Sequence, residues 1–468
     1  MKKRIAFTIS IPVVALFVGL LVALLVPSNV FILTEALESL HLLGPRLRPE
    51  GLVASPPGAG TAPPLLIING TRWDAAGGAR PNPGLAVTAG RISASAPPDA
   101  RVIDAAGLTI LPGLIDMHIH SFGGSFEDEM FIANGVTSAR DLGTPLVGIL
   151  DHRSGSERGE RIGPRLFVTG PYLTKGAAAG DQEVDAATPA AASLIVEKFA
   201  DAGVDGIKVH SGIDEPTLAA VVAAAHARGL WVAVHTDQVG AAAAAALSVD
   251  TIEHAWGLLT DDPAAEDGII ATLVSHHVAL TPTLVVAEHA FTLLDILRDG
   301  SPAFPLTPPL MRRFWISSQI ANANAIAMGP EEVARRRDRL ERLKRLTGRF
   351  HRAGGRVLAG TDAPAYLVAP GFDIHRELEL LVASGLSPEE ALASATSEAA
   401  AALHRASEIG GLGEGMCADL LLVDGDPLAG KAGDRSWISV TRRCRLVLKD
   451  GRVLLDRTRK LTAPGASQ

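Results

Sequence analysis

The chain has 468 residues, enough for one large domain and a smaller one. Charged residues make up 20% and hydrophobic residues 47% of the chain, with a mean hydropathy of +0.24, so it is more apolar than a typical soluble protein. The net charge of -8 and the pI near 6.0 give no basis for nucleic-acid binding. Two cysteines, Cys417 and Cys444, are too few for a disulfide framework, and we expect two unpaired thiols, with a single bridge as the alternative.

The N-terminus has the pattern of a membrane anchor. Lys2, Lys3 and Arg4 precede an uncharged apolar run from residue 5 to residue 26. A helix of these roughly 22 residues is about 33 Å long, which matches the hydrocarbon core of a bilayer. We predict a single-pass anchor over residues 1–30, with the N-terminus in the cytoplasm and the rest of the chain outside it, periplasmic or extracellular. A cleaved signal peptide is the alternative.

Two β-rich stretches flank a long middle section. Residues 31–64 precede them and predict a short juxtamembrane helix and a linker rich in Pro, Gly and Ala. We predict that residues 65–112 and 411–460 together form one small β-sandwich domain built from both ends of the chain. The short β runs in these stretches are residues 65–68, 85–88, 91–93, 101–103, 418–423, 438–441, 445–448 and 452–455.

The middle section, residues 113–410, alternates strand-like and helix-like segments, which is typical of a parallel sheet. Eight such units predict a (β/α)8 TIM barrel, with a doubly wound sheet as the competing fold. The predicted strands are residues 113–120, 136–141, 165–169, 206–210, 231–235, 251–254, 278–283 and 356–361. Residues 284–351 form an Arg-rich helical insertion, too long for an ordinary connection, and we expect it to cover the site.

Six residues with chemically distinctive side chains lie in or directly after the predicted barrel strands. The first two, His118 and His120, are two apart on one strand, so their side chains lie on the same face, as two ligands of one metal must. The others are Lys208, His235, His254 and Asp362. In a barrel these strand ends surround one cavity, and imidazole and carboxylate ligands suit zinc or another divalent metal.

The sequence around these residues resembles the amidohydrolase superfamily of metal-dependent hydrolases, from about residue 65 to residue 455. The run Pro-Gly-Leu-Ile-Asp-Met-His-Ile-His, residues 112–120, is similar to the first-strand signature of that superfamily. Residues 135–141, 360–363 and 418–420 resemble its second strand, its eighth strand and the β domain that follows. Within the superfamily, the chain is most similar to imidazolonepropionase-like proteins and prolidase-like dipeptidases.

The resemblance implies a role for Lys208 that its own chemistry does not suggest. A protonated lysine has no lone pair for a metal. In binuclear members of the superfamily, a lysine in this strand is carboxylated by carbon dioxide and bridges two ions, here expected to be zinc. The ligands would be His118, His120 and Asp362 for one ion, His235 and His254 for the other, and carboxylated Lys208 for both. A salt-bridged Lys208 is the alternative, and it would leave a mononuclear site.

The chemistry expected from this site is hydrolysis of a C–N bond in a small-molecule amide. A divalent ion lowers the pKa of a bound water, and Asp362 would carry the proton from that water to the leaving nitrogen. Arg140 could bind a substrate carboxylate with its planar guanidinium, and a structural ion pair with Asp141 or another neighbour is the alternative. His210 shares a strand face with Lys208 and could also reach the substrate.

The substrate is less well specified than the reaction. A dipeptide or an N-acyl amino acid is the first hypothesis, and a cyclic amide or a lactone is the second. A mononuclear deaminase and a non-catalytic, membrane-tethered binding protein are further alternatives. The sequence allows a homo-oligomer but contains no pattern that specifies one.

Overall fold

The computed structural model describes residues 46–53, 58, 60–121, 123–176, 181–323, 329–429 and 436–458. The predicted anchor, residues 1–30, lies outside these ranges. Within them, no helix is both long enough and apolar enough to span a bilayer. The anchor and the extracytoplasmic location therefore stay predictions from the sequence.

The described part of the chain has an α/β architecture. Strands β1 to β19 are Leu65–Ile68, Thr71–Asp74, Gly78–Pro81, Leu85–Thr88, Arg91–Ser93, Arg101–Asp104, Leu108–Pro112, Leu114–Ile119, Val136–Asp141, Arg165–Val168, Tyr172–Thr174, Glu183–Asp185, Gly206–Val209, Trp231–His235, Thr251–Glu253, Ala279–Thr281, Leu420–Asp424, Cys444–Lys449 and Arg452–Asp456. Helices α1 to α12 are Ser125–Ala133, Leu146–Glu157, Pro189–Ala202, Glu215–Ala227, Ala241–Ala246, Pro263–Ser275, Leu284–Asp299, Pro309–Ala323, Pro330–Arg352, Ile374–Ala383, Pro388–Ser394 and Ser397–Ala402. Three 3-10 helices span Ala255–Leu258, Ala365–Leu367 and Ile438–Arg442.

Two sheets with a shared apolar core contain the strands from both ends of the chain. Their strand orders are β5-β4-β1-β6 and β19-β18-β17-β7-β2-β3. In the second sheet, β7 pairs antiparallel with β17, which joins the N-terminal and C-terminal β stretches. Ile67 and Val87 of the first sheet and Ile110, Leu420 and Leu446 of the second are buried in one cluster. The two sheets therefore face each other across a common core.

The middle section forms a ring of parallel strands. Strands β8 to β10 pair with one another, and so do β13 to β16. A 2.8 Å hydrogen bond from the Asp205 N–H to the last carbonyl of β10 links the two groups. The ring is closed by Val357, which bridges to Leu280 of β16, and by Ala363, which bridges to Ile119 of β8. A doubly wound sheet has two free edges and lacks this closure, so the pairing favours the predicted barrel.

The strand predicted over residues 113–120 is observed as β8, and β7, which is not among the predicted strands, ends directly before it. Strand β7 belongs to the β sandwich and β8 to the ring, and Gly113 lies between them. A Cβ atom at residue 113 would overlap with the side chain of Thr137. Glycine is therefore needed here because the Thr137 side chain of β9 leaves no room for a Cβ atom.

Three other predictions of secondary structure need correction. Residues 438–441, predicted as a strand, lie in a 3-10 helix, and residues 356–361 make only an isolated bridge instead of a regular strand. Strands β2, β3, β11 and β12 are also absent from the predicted set. Cys417 and Cys444 are buried free thiols, which agrees with the expectation of unpaired cysteines.

Helices α7, α8 and α9 lie between β16 and the segment that closes the ring, as the long insertion predicts. Leu343 and Phe350 of α9 are buried in the main core. The indole N–H of Trp315, on α8, donates to the Pro364 carbonyl at 2.8 Å. The carboxylate of Glu377, on α10, accepts the first two N–H groups of α7, at 3.0 and 2.7 Å. We call α7 to α9 the roof, and these contacts attach it to the ring.

Candidate metal centre

A cavity of about 900 Å³ lies between the ends of the ring strands and the roof. This cavity is lined by all six residues that the sequence selects, which are spread from residue 118 to residue 362. They are His118, His120, Lys208, His235, His254 and Asp362. The structure therefore brings the predicted set together in one place.

His118, His120 and Asp362 form the tightest part of this set. Asp362 Oδ1 lies 3.4 Å from His118 Nε2 and 3.3 Å from His120 Nε2. One ligand atom from each of the three residues lies within 4.8 Å of the other two. The two rings are 5.3 Å apart, as expected for alternate residues on one face of a strand. Atoms so arranged could bind a single ion.

Three buried polar atoms around the cavity have no hydrogen-bond partner among the described residues. They are His118 Nε2, His235 Nδ1 and Lys208 Nζ. The Lys208 side chain is 0% exposed. Buried polar atoms without a partner cost free energy and are rare in folded proteins. The two imidazole nitrogens among them, next to a carboxylate, fit a site that binds a divalent metal.

Three of the candidate histidines, His118, His235 and His254, are held in the protonation state that a metal requires. Burial and the nearby charge of Lys208 lower the pKa of His235 to about 4. Burial, followed by the neighbouring positive groups, also lowers the pKa of His118 and of His254 well below the usual value. Neutral imidazoles have a free lone pair at neutral pH, and a metal binds through that lone pair.

Glu253 fixes the orientation of His118. The Glu253 Oε2 atom lies 2.8 Å from His118 Nδ1, and both side chains are buried. If His118 donates Nδ1–H to this carboxylate, its Nε2 lone pair points into the cavity. Glu253 Oε1 accepts from Arg140 Nη2 and from Thr251 Oγ1, both at 2.6 Å. Glu253 is not among the residues that the sequence pattern selects, although a carboxylate inside a buried strand next to His254 is a usable signal.

Arg140 does not lie where a substrate-binding residue would. Its side chain is 1% exposed, and its Nε donates to the Met117 carbonyl at 2.6 Å. Its guanidinium contacts Glu253 and lies 5.1 Å from the centre of the Trp231 ring. It does not line the cavity. The structure therefore contradicts the predicted role in substrate binding and supports the alternative of a structural ion pair, whose partner is the neighbouring Glu253.

His254 is held by its own neighbours. Its Nδ1 lies 2.7 Å from Thr283 Oγ1, and its ring stacks on Trp256 at 3.9 Å. The backbone of His254 has a φ of 69°, and that of Asp362 has a φ of 61°. Such left-handed conformations are uncommon for residues other than glycine and occur often at functional sites. Two of the six candidate ligands thus sit where the chain turns sharply out of the ring.

His210 lines the same cavity, as predicted from its strand face. Its ring lies 4.3 Å from His235 and 4.8 Å from Tyr172, and its Nδ1 lies 2.7 Å from Ser211 Oγ. Burial and the charge of Lys208 lower the pKa of His210 to about 2, so it is neutral. The ring is thus in a position to contact a bound substrate.

The roof supplies the remaining wall of the cavity. Its apolar contribution includes Val286 from α7 and Leu340 and Leu343 from α9. Four charged residues of α9 also line the cavity: Glu332, Arg335, Arg336 and Arg339. The length of the insertion predicts a cover over the site, but the sequence pattern does not select these side chains.

Comparisons with known proteins support the same chemistry. The model of the Amidohydrolase family matches residues 109–454. A dihydroorotase from Geotalea daltonii is 47% identical over 60 residues, which is 12% of this chain and 14% of that protein, so the match covers a small part of that relative.

Among solved structures, a Bifidobacterium longum protein assigned as a prolidase is similar with a TM-score of 0.67 and 25% identity, over 84% of this chain and 95% of that one. An Xaa-Pro dipeptidase with bound methionine has a TM-score of 0.64 and 22% identity, over 84% and 100% of the two chains. A bottromycin amidohydrolase has a TM-score of 0.64 and 24% identity, over 86% and 88%. The predicted resemblance is confirmed: the chain belongs to the amidohydrolase family and is a hydrolase that acts on carbon–nitrogen bonds.

Proposed function

We propose that this protein is a zinc-dependent hydrolase that cleaves an amide bond in a dipeptide or an N-acyl amino acid. The observation that carries the proposal is the convergence of four histidines, Asp362 and a fully buried lysine on one cavity. The volume of about 900 Å³ suits a substrate of this size. The similarity at 25% identity to a protein assigned as a prolidase supports a peptide-like substrate.

The proposed ligands are those that the sequence predicts. One ion would take His118, His120 and Asp362, the other His235 and His254, and carboxylated Lys208 would serve both. A divalent ion bound there supplies a water of lowered pKa and polarises the carbonyl that is attacked. Burial lowers the pKa of Lys208 to about 8, which increases the fraction of free amine available to react with carbon dioxide.

The other steps use side chains of this chain. Asp362 lies at the cavity, and its carboxylate would accept a proton from the attacking water. The same group would then donate that proton to the leaving nitrogen, so the amine departs neutral as the C–N bond breaks. Glu253 keeps His118 in one tautomer throughout, because its carboxylate remains bonded to Nδ1.

Metal content per chain tests the proposal most directly. We expect elemental analysis of the purified full chain to find close to two zinc ions, and the Lys208→Ala variant to bind one or none. Lys449→Ala is the matched control, because Lys449 is also buried but pairs with Asp450 outside the cavity. That variant should keep both ions.

The other outcomes would each overturn a part of the proposal. One ion that Lys208→Ala does not change would indicate a mononuclear site and reopen deamination. A protein that binds no metal after reconstitution would be a binding protein on a hydrolase fold.

A further inference from the structure

Helix α9 presents one face to the cavity, and that face is rich in arginine. Its cavity-lining residues are Glu332, Arg335, Arg336, Arg339, Leu340 and Leu343. Their spacing of three and four residues places them along a single side of the helix. The helix therefore gives the cavity a wall that is apolar towards one end and cationic towards the other.

Two of the three arginines on this wall are already engaged. Glu332 accepts from Arg335 Nη2 at 2.6 Å and from Arg336 Nε at 2.7 Å. Arg336 also donates through Nη1 to the Ala290 carbonyl at 2.7 Å. The Glu332 carboxylate thus binds two guanidinium groups, and its negative charge is compensated by their positive charges.

Arg339 differs from its neighbours. It is exposed, it lines the cavity, and it makes no hydrogen bond or ion pair with any residue that the structure describes. A guanidinium offers five N–H donors in a planar fork that matches a carboxylate. Its position leaves that fork available to a molecule in the cavity.

The described cavity wall has no free carboxylate for a substrate ammonium group. Among the described lining residues, only Glu332 and Asp362 are acidic. Glu332 is paired with two arginines, and Asp362 belongs to the candidate metal centre. A substrate with a free ammonium group would therefore meet cations without a compensating carboxylate, whereas an anion would find a partner.

We infer that Arg339 binds the carboxylate of the substrate, and that the substrate is an N-acyl amino acid instead of a dipeptide with a free amine. The inference rests on the proposed function and selects one of its two substrate classes. Leu340 and Leu343 lie on the same face as Arg339, so an apolar amino-acid side chain fits beside the bound carboxylate.

Three compounds that release leucine or its amide test this inference. They are N-acetyl-leucine, N-acetyl-leucinamide, which lacks the carboxylate, and glycyl-leucine, which adds an ammonium. We expect the wild-type protein to have its highest kcat/KM for N-acetyl-leucine. Arg339→Gln should lower that value about 10- to 100-fold, as loss of a charged hydrogen-bond pair does. The kcat/KM for removal of the acetyl group from N-acetyl-leucinamide should stay within about twofold of the wild-type value.

Arg337→Gln is the matched control, since Arg337 is an exposed arginine of the same helix that does not line the cavity. It should leave all three rates unchanged. An equal loss for the acid and the amide in Arg339→Gln, an equal effect of Arg337→Gln, or faster cleavage of glycyl-leucine by the wild type would overturn the inference.

A binding measurement separates this inference from the proposed function. If the wild type hydrolyses none of the three compounds, the proposed function fails. Calorimetric titration with N-acetyl-leucine then tests the anion site by itself. Binding that weakens about 10-fold or more in Arg339→Gln but not in Arg337→Gln supports the site, and equal binding by all three proteins refutes it.

Discussion

The floor and the roof of the cavity are built in opposite ways. On the floor, His118, Lys208 and Glu253 are almost fully buried. On the roof, Arg335 and Arg339 of α9 are exposed to solvent. His118 and Glu253 contact each other and Lys208 Nζ has no partner, whereas on the roof Arg335 pairs with Glu332 at the surface and Arg339 pairs with no described residue. The buried floor is therefore suited to the chemical step, and the exposed roof is suited to substrate selection.

This difference has energetic consequences. The ion pair between Arg140 and Glu253 is buried, so removing one partner leaves the other charge without water or a counter-charge. The pair between Arg335 and Glu332 is solvent-exposed and contributes at most about 1 kcal/mol. Substitutions in the buried Arg140–Glu253 pair should thus lower stability and metal affinity together, whereas those of exposed α9 residues should change kinetics alone.

The largest effect is expected at Asp362. Asp362→Asn should lower kcat about 10²- to 10⁴-fold, because an amide can neither accept nor return the proton. Much of the metal should remain, since the histidines and Lys208 are untouched. Turnover and metal per chain are measured on the same preparation, with Asp338→Asn, an exposed residue of α9 outside the cavity, as the control. Unchanged turnover in Asp362→Asn would remove this role.

Glu253→Gln comes next and tests the floor directly. We expect the free energy of unfolding to fall by about 3 kcal/mol, because Arg140 keeps its charge but loses its counter-charge. Metal affinity should fall about 10- to 100-fold, because His118 loses the carboxylate that orients it. Denaturant unfolding and competition with a chelator measure the two effects.

Glu266→Gln is the matched control for that variant. Like Glu253, Glu266 is a buried carboxylate that pairs with arginine. Its partners are Arg342 and Arg349, and it does not line the cavity of the candidate metal centre. It should lose stability without any change in metal affinity. If both variants lost metal equally, the contact between Glu253 and His118 would have no specific role.

Much of the fold follows from local patterns. The predicted bounds of residues 136–141 and 231–235 coincide with β9 and β14, because short apolar runs between turn signals specify a buried strand. Residues 438–442 contain β-branched Ile438, Val440 and Thr441, which favour a strand. Tertiary contacts decide otherwise there, including the 2.9 Å contact between His375 Nδ1 and Thr441 Oγ1.

The candidate site divides in the same way. The spacing of His118 and His120 predicts their shared face, which depends only on strand geometry. The depth of Arg140 was not predictable, since a parallel strand buried on both faces has no polar alternation to show which side chains reach the cavity. The face of α9 that carries Arg339 was also not predictable. An exposed arginine-rich helix has several charged faces, and only the position of the cavity selects one.

Glu377, at the junction of floor and roof, should give the smallest effect, a pH dependence of stability. Burial raises the pKa of Glu377 to about 8, although the Leu284 and Val285 N–H groups at the start of α7 oppose this. Between pH 4.5, its usual pKa, and pH 8, the Glu377 carboxyl binds more protons in the folded state than in the unfolded state. This group therefore makes the free energy of unfolding fall as pH rises.

From pH 6 to 8 the free energy of unfolding of the metal-free wild type should fall by about 2 kcal/mol more than that of metal-free Glu377→Gln, as measured by denaturant unfolding. Glu379→Gln, on the same helix but paired with Arg376 and Arg442, should keep the wild-type slope. Parallel slopes for wild type and Glu377→Gln would mean that this carboxyl group is ionised at neutral pH and holds the roof as an anion.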